Sequence, residues 1–148
     1  MRARDLVTEC RTVRLDTPAL DAARLLARED PPGLVVVDND GKPLTVLPGS
    51  QVLRLGVPSY IQEDPALARV VDEASADVFL RALGDRTVEQ CLPKQSQELA
   101  VVTPDATVLE LAALMARTRT PLVAVVDPQL GMIGAVTLAT LMDRLVES

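Results

Sequence analysis

With 148 residues, 48% of them hydrophobic and 1% aromatic, and a net charge of −6, the chain has the size of one ordinary domain or two very small ones, and its core must be built from Val, Leu, Ala, Ile and Met. An acidic chain with no Trp and no basic stripe lacks the clustered Lys/Arg and stacking rings that nucleic-acid binders use, and with no His and two Cys it lacks a zinc set of the usual type and the commonest general base. No run approaches the length of a transmembrane helix, and Met1-Arg2-Ala3-Arg4-Asp5 opens no apolar stretch of signal-peptide length, so a cytoplasmic protein without membrane insertion is expected.

In chain order, residues 1–12 (MRARDLVTECRT) lead into a stretch from Val13 to Asp38 that occurs again from Val102 to Asp127. At a constant offset of 89 residues, 11 of the 26 paired positions are identical, among them Asp16/Asp105, Leu20/Leu109, Arg28/Arg117, Pro32/Pro121 and Asp38/Asp127. An ungapped internal repeat of this length governs how the rest of the chain is read. In the first copy Thr17 is placed to cap a helix with Pro18 at its first position, where a missing N–H costs nothing. Pro32 then precedes a β-branched run, Leu34 to Val37, whose continuity predicts a strand covered on both faces. Asp38-Asn39-Asp40-Gly41 predicts a turn, Leu44 to Leu47 a second strand, and Gln51 to Leu55 a short helix with Ser50 as its cap after Pro48-Gly49.

The central segment has no partner in the second copy. Asp64-Pro65 predicts a helix start, with Leu67, Val70, Val71 and Ala74 on one stripe. Phe79, Leu80 and Leu83 make another that ends at Gly84, after a break near Ser75 and with Asp77 as cap. Either it is a lid over one cleft or it carries the chain to the second copy, and its length favours the connector. Residues 86–93 (RTVEQCLP) are the second lead-in. Thr107 precedes Glu110 at capping-box spacing. Val108, Leu111, Ala112 and Met115 form an i, i+3, i+4, i+7 stripe, while Leu109, Ala113 and Ala116 add apolar residues on other faces, so little of this helix is expected to meet water. Strands are predicted at Leu122 to Val126 and Met132 to Val136, with a turn from Asp127-Pro128 to Gly131. A final helix carries Leu138, Leu141, Met142, Leu145 and Val146. Each copy is therefore β-α-β-β-α. Neither copy has a phosphate-loop pattern around Gly41-Lys42 or Gly131-Met132, the repeated Asp38 and Asp127 are accounted for by turn duty, and no convergent acid/base set is present, so an enzyme is not expected. Cys10 and Cys91 do not align with each other and read as small packing residues.

The run Asp-Thr/Ala-x-x-x-x-Ala-x-x-Leu-Leu/Met, then Pro-x-x-x-Val-Val-Asp, then Gly-x-x-x-x-Val/Ile-x-Thr before the last helix, resembles the cystathionine β-synthase (CBS) domain, and two in tandem resemble a Bateman module. The resemblance implies an α/β (α+β) fold of two β-α-β-β-α repeats packed with pseudo-twofold symmetry, spanning residues 1–62 and 85–148 with a helical connector at 63–84. It further implies clefts that bind adenosine compounds such as AMP, ATP or S-adenosylmethionine. In such clefts the first strand and the residues around the Pro before the second strand hold adenine, and a Thr-x-x-Asp pair holds the ribose. Carried over by position, these are Val102, Pro121, Leu122, Thr137 and Thr140 in copy two, and Val13, Arg14, Pro32, Ser50 and Gln51 in copy one. The ribose hydroxyl position falls on Thr137 and on Pro48, and the ribose Asp on Thr140 and on Gln51, so neither copy has the charged acceptor. No cofactor is expected beyond such a ligand. Arg14, Arg28, Arg117 and Arg119 are the cations placed near possible phosphates, and Arg28/Arg117 also suit solvated helix ends. The resemblance implies a homodimer through helix faces, with 138–146 and 18–28 as candidate surfaces, and a transporter or enzyme as regulated partner. The reading is a stand-alone regulatory sensor or, alternatively, a ligand-independent dimerisation or docking module.

Overall fold

In a computed structural model, the described residues are 1–57, 62–64, 66, 74–93 and 99–147, with backbone alone at 74–78. They belong to two compact units, one of Met1–Thr12, Val35–Val46 and Gln97–Ser148, the other of Val13–Leu34 and Leu47–Ser96. The elements are α1 (Ala3–Leu6), β1 (Thr12–Arg14), α2 (Ala19–Glu29), β2 (Leu34–Val37), β3 (Pro43–Leu47), α3 (Gly49–Gly56), α4 (Ala74–Gly84), α5 (Val88–Cys91), β4 (Val101–Val102), α6 (Val108–Thr118), β5 (Leu122–Asp127), β6 (Gly131–Thr137) and α7 (Leu138–Glu147). They make two three-stranded sheets, β1-β2-β3 and β4-β5-β6. This is the mixed α/β order expected from the repeat, each copy as β-α-β-β-α.

The β-branched runs become central strands. All four residues of β2 are buried, as are Leu122 to Val125 of β5, because each strand pairs on both edges and is covered on both faces. In the second sheet β4 runs parallel to β5, with Val102 opposite Val125, and β6 returns antiparallel with Leu122 opposite Thr137. The register slips between Val125 and Val126, which leaves Ile133 as the extra residue of a bulge. Next to it Gly134 adopts φ +156°, and a Cβ there would overlap the Thr8 carbonyl oxygen. The first lead-in lies against β6 at that point, Thr8 N–H donating to Ala135 O at 2.9 Å and Ala135 N–H returning to Thr8 O at 3.0 Å. Val35 and Val37 of β2 pack with Leu99, Leu122, Ala124 and Ala135, and a second core joins Leu111, Met115, Val123, Val125, Val136 and Leu141 to Ala3 and Leu6.

The two lead-ins dock by the same pattern. The Ala3 and Arg4 amides donate to the carbonyls of Ala106 (2.7 Å) and Pro104 (3.0 Å), just ahead of α6. The Val88 and Glu89 amides donate to Thr17 (2.8 Å) and Leu15 (3.0 Å), just ahead of α2. Each lead-in thus completes the helix entry of the other repeat. The first amides of a helix need partners outside it, and here a short helix spends its own on the neighbouring turn.

Several local expectations are corrected. Thr17 does not cap α2: the helix begins at Ala19 with Pro18 as N-cap, and the Thr17 hydroxyl accepts from the Arg14 N–H at 2.9 Å, closing the turn after β1. Ser50 does not cap α3, which begins one residue earlier at Gly49, with Pro48 as N-cap and no side-chain cap bond. Position 77 does not begin α4, which already runs from Ala74 to Gly84, and the stretch 67–73 ahead of it lies outside the described residues. Thr107 does cap α6, accepting from Glu110 N–H at 3.2 Å. A full capping box forms instead at Thr87 and Gln90, a T-x-x-Q spacing in the second lead-in. The expectation that α6 avoids water also fails. Leu111 and Met115 are buried, but Leu109 is 77% exposed and Ala113 and Ala116 are exposed too. Both long helices end in left-handed residues, Asp30 (φ 45°) and Arg119 (φ 56°), 89 positions apart like the rest of the repeat.

The central segment is described in part. Asp64 Oδ1 accepts from the Ala66 N–H at 3.2 Å, as a helix-start residue would, while Leu67, Val70 and Val71 lie outside the described residues. Helix α4 packs against α2 and α3 with Leu83 fully buried. The Gly56 position at the end of α3 leaves room for the Phe79 ring, which a Cβ would overlap. The Gln62 side-chain amide donates to the Val57 and Arg54 carbonyls at 2.7 and 3.0 Å, satisfying the C-terminal acceptors of α3.

Candidate functional site

In copy two the antiparallel register of β5 and β6 sets Leu122 against Thr137, and the Leu138 N–H donates to the Pro121 carbonyl at 2.9 Å. Pro121, Leu122, Thr137 and Thr140 therefore come together where β6 passes into α7. Thr137 is the cap of that helix: its hydroxyl accepts from the Thr140 N–H at 3.2 Å and donates to the Thr140 hydroxyl at 3.0 Å. The Thr137 proton is thereby spent inside the protein. The Thr140 hydroxyl keeps its own proton and a lone pair, both uncharged. Val102 is not beside this group. It faces Val125, three residues further along β5, about 10 Å at the rise of a strand, and packs into the core around Leu111.

In copy one the corresponding residues are less equipped. Val13 is buried in β1 at 4% exposure, so it serves the core. Arg14 is exposed, and its guanidinium lies 3.8 Å from Asp16. Pro32 is exposed ahead of β2, and Ser50 and Gln51 fall in the first turn of α3 without a capping hydroxyl before them. The repeated carboxylates are turn residues, as expected: Asp38 accepts from the Asp40 and Lys42 amides at 2.9 Å, and Asp127 from the Gln129 and Leu130 amides at 2.8 and 3.1 Å. Desolvation pushes both thiols above the usual cysteine range, with Glu9 adding to the effect at Cys10, which leaves each protonated and a poor nucleophile near neutral pH. Among the described residues no group of three or more His, Cys, Asp or Glu is placed to hold a metal, no buried side-chain polar atom lacks a partner, and no helix is long and apolar enough to cross a membrane.

The other feature of copy two is apolar. A groove of about 430 Å³ runs between α6 and α7, lined chiefly by Ala112, Met115, Pro121, Leu141, Met142 and Leu145. Sequence periodicity gave its residues but not its openness, because an apolar stripe looks the same whether or not something covers it.

The model of the CBS domain matches residues 3–48 and 95–147. The chain belongs to the CBS-domain family. As a tandem CBS pair, a Bateman module, it is a protein of the regulatory type. It is similar over 99% of its length, with 49% identity and a TM-score of 0.88, to 99% of a CBS domain-containing protein of unknown function from Kribbella flavida. The CBS domain of a CBS domain-containing membrane protein from Sphaerobacter thermophilus shares the fold at 22% identity and a TM-score of 0.74, over 97% of this chain and 86% of that one. CBSX2, a CBS-pair protein of Arabidopsis thaliana solved in complex with AMP, shares it at 18% identity and a TM-score of 0.68, over 99% and 96%. No curated protein sequence matches.

Proposed function

We propose that this CBS pair is a cytoplasmic, non-enzymatic sensor that takes an adenosine-type ligand, AMP, ATP or S-adenosylmethionine, at its copy-two half-site and modulates a partner protein. The observation that carries the reading is the meeting of Pro121 and Leu122 with the Thr137–Thr140 hydroxyl pair, linked at 3.0 Å, at the head of α7. An apolar edge beside hydroxyl groups suits a base and its ribose, and AMP in the related CBSX2 fold supports the ligand class. A neutral hydroxyl in place of a carboxylate gives up about 1 kcal/mol of hydrogen-bond energy, so affinity is roughly fivefold below that of a site with the charged acceptor. Copy one, with Pro48 at the hydroxyl position, contributes the weaker half-site. A transporter is a fitting partner class, since the same fold occurs as the CBS domain of a bacterial CNNM/CorC family Mg2+ transporter.

The test is thermal stability with AMP, ADP, ATP, S-adenosylmethionine and NAD, each at millimolar concentration. A ligand at 100 times its dissociation constant adds about 2.7 kcal/mol. Thr140→Ala is expected to weaken binding by about 0.5–1.5 kcal/mol. Unchanged affinity in that variant would move the site elsewhere, and no shift with any compound would remove the sensor reading. A second reading, a ligand-independent dimerisation or docking module, is favoured by the exposed Leu138, Met142, Leu145 and Val146 of α7.

A further inference from the structure

The helical faces of the two repeats are unequal. In copy one α4 is seated on α2 and α3, with Leu83 fully buried there. In copy two the corresponding helices, α6 and α7, line the groove of about 430 Å³, a volume within the roughly 300–1,000 Å³ of small-molecule sites. Both helices flank it for about 10 Å at the helical rise, from Ala112 to Arg119 and from Leu138 to Leu145. At one end the Leu138 N–H to Pro121 carbonyl bond ties the helix ends together. At that same end stands Arg119, the only charged residue among those lining the groove. Apart from Thr120 the remaining lining is apolar.

The charge at that end is specific to copy two. Arg119 sits in the left-handed region (φ 56°), where Gly or Asn is the usual helix-ending residue, and its repeat counterpart is Asp30. The Arg119 side chain is exposed and meets no carboxylate among the described residues. It is also the one side-chain donor at this end. The Thr118 hydroxyl donates to the Leu114 carbonyl at 2.7 Å, so its 3.2 Å contact with Thr120 uses the Thr120 proton, and Thr120 has none left for an anion.

We propose that this groove binds a single-chain fatty acid, its carboxylate on the Arg119 guanidinium and its alkyl chain laid between Met115 and Met142 toward Leu145. A guanidinium suits a carboxylate by charge and by its paired N–H donors. An extended chain advances roughly 1.2 Å per bond, so about eight or nine bonds span the groove, the length of nonanoate or decanoate. Methionine side chains adapt their shape to such an unbranched chain. The groove shares only Pro121 with the adenosine half-site, and its occupant is independent of that reading.

Isothermal titration calorimetry of the full chain with hexanoate, octanoate and decanoate, each below its micelle concentration, tests this. Affinity should rise about two- to fourfold per methylene. Arg119→Asn, which suits the left-handed backbone and so keeps the fold, should weaken decanoate about fivefold and leave decan-1-ol unchanged. Met142→Glu, at a position 52% exposed in the folded chain, should remove the binding of both. Methyl resonances of the 4 methionines locate the chain: decanoate should shift those of Met115 and Met142 and spare Met1 and Met132. No decanoate binding at millimolar concentration, binding indifferent to Arg119→Asn or to chain length, or shifts confined to Met132 would overturn the proposal. So would a self-association of the chain that hides Met142 from decanoate. Failure of the adenosine compounds to bind would remove the sensor reading and leave the decanoate result to be read by itself.

Discussion

Gly134 illustrates how much one residue can decide. Its φ of +156° lies where an L side chain is strained, and its missing Cβ is what lets the Thr8 carbonyl approach β6. Gly134→Ala therefore carries both backbone strain and a steric overlap with main chain that cannot swing aside. A loss of about 2 kcal/mol or more is expected, which lowers the thermal midpoint by roughly 4–8 °C for a chain of this size. The same position was readable in the sequence only as a glycine inside a strand pattern, since what it makes room for lies more than 120 residues away. The cysteines make a second residue-scale prediction. Each thiol is raised above its ordinary range mainly by desolvation, so its neutral form is favoured in the fold, and this contribution to stability holds below the ordinary thiol pKa and fades as pH rises through the raised one. Iodoacetamide at neutral pH should label the folded protein far more slowly than the unfolded chain. Cys91, buried at 5% exposure, should react after Cys10, as peptide mass spectrometry would report.

Among the elements, the strands were the most legible. Unbroken Val/Leu/Ala runs bounded by Pro and by Asp-Gly turns leave little alternative to a doubly covered strand, and β2 and β5 fell where the runs fell. Helix entries were the least legible. Thr17 has the right chemistry for a cap, yet its hydroxyl serves the Arg14 N–H, because the docked lead-in already engages the Thr17 carbonyl and fixes the turn. The candidate site shows the same division. Pro121, Leu122, Thr137 and Thr140 converge because strand register fixes them, whereas Val102 follows its own strand three residues away. Two element-scale outcomes follow. Asp30→Gly, which relieves a left-handed residue at the end of α2, should gain about 0.5–1 kcal/mol in denaturant unfolding. Gly56→Ala should destabilise by clashing with Phe79, and the cost should shrink when Phe79→Ala is present, a coupling of about 0.5–3 kcal/mol in a double-mutant cycle.

For the whole molecule, the unequal helical faces set what can be expected of stability. Leu83 is fully buried between α4 and the copy-one helices, so Leu83→Ala should cost about 2–5 kcal/mol and should do so in a single cooperative transition if the insert belongs to the folded body. The insert had no counterpart from which its role could be read, and its apolar stripes alone did not say which face they would close. The exchange of lead-ins has a consequence in time as well as in space. The carbonyls of Leu15 and Thr17 receive their amide partners from Glu89 and Val88, so the entry to the first repeat's helix waits on chain made about 70 residues later. At ordinary synthesis rates of about 5–20 residues per second, that is an interval of roughly 4–14 s during which a nascent first half is complete in sequence but open in structure. The second repeat meets no such delay, because Ala3 and Arg4 are already waiting when Pro104 and Ala106 emerge. A duplicated chain built this way holds its first half open until the second lead-in emerges, and closes the second repeat's entry directly afterwards.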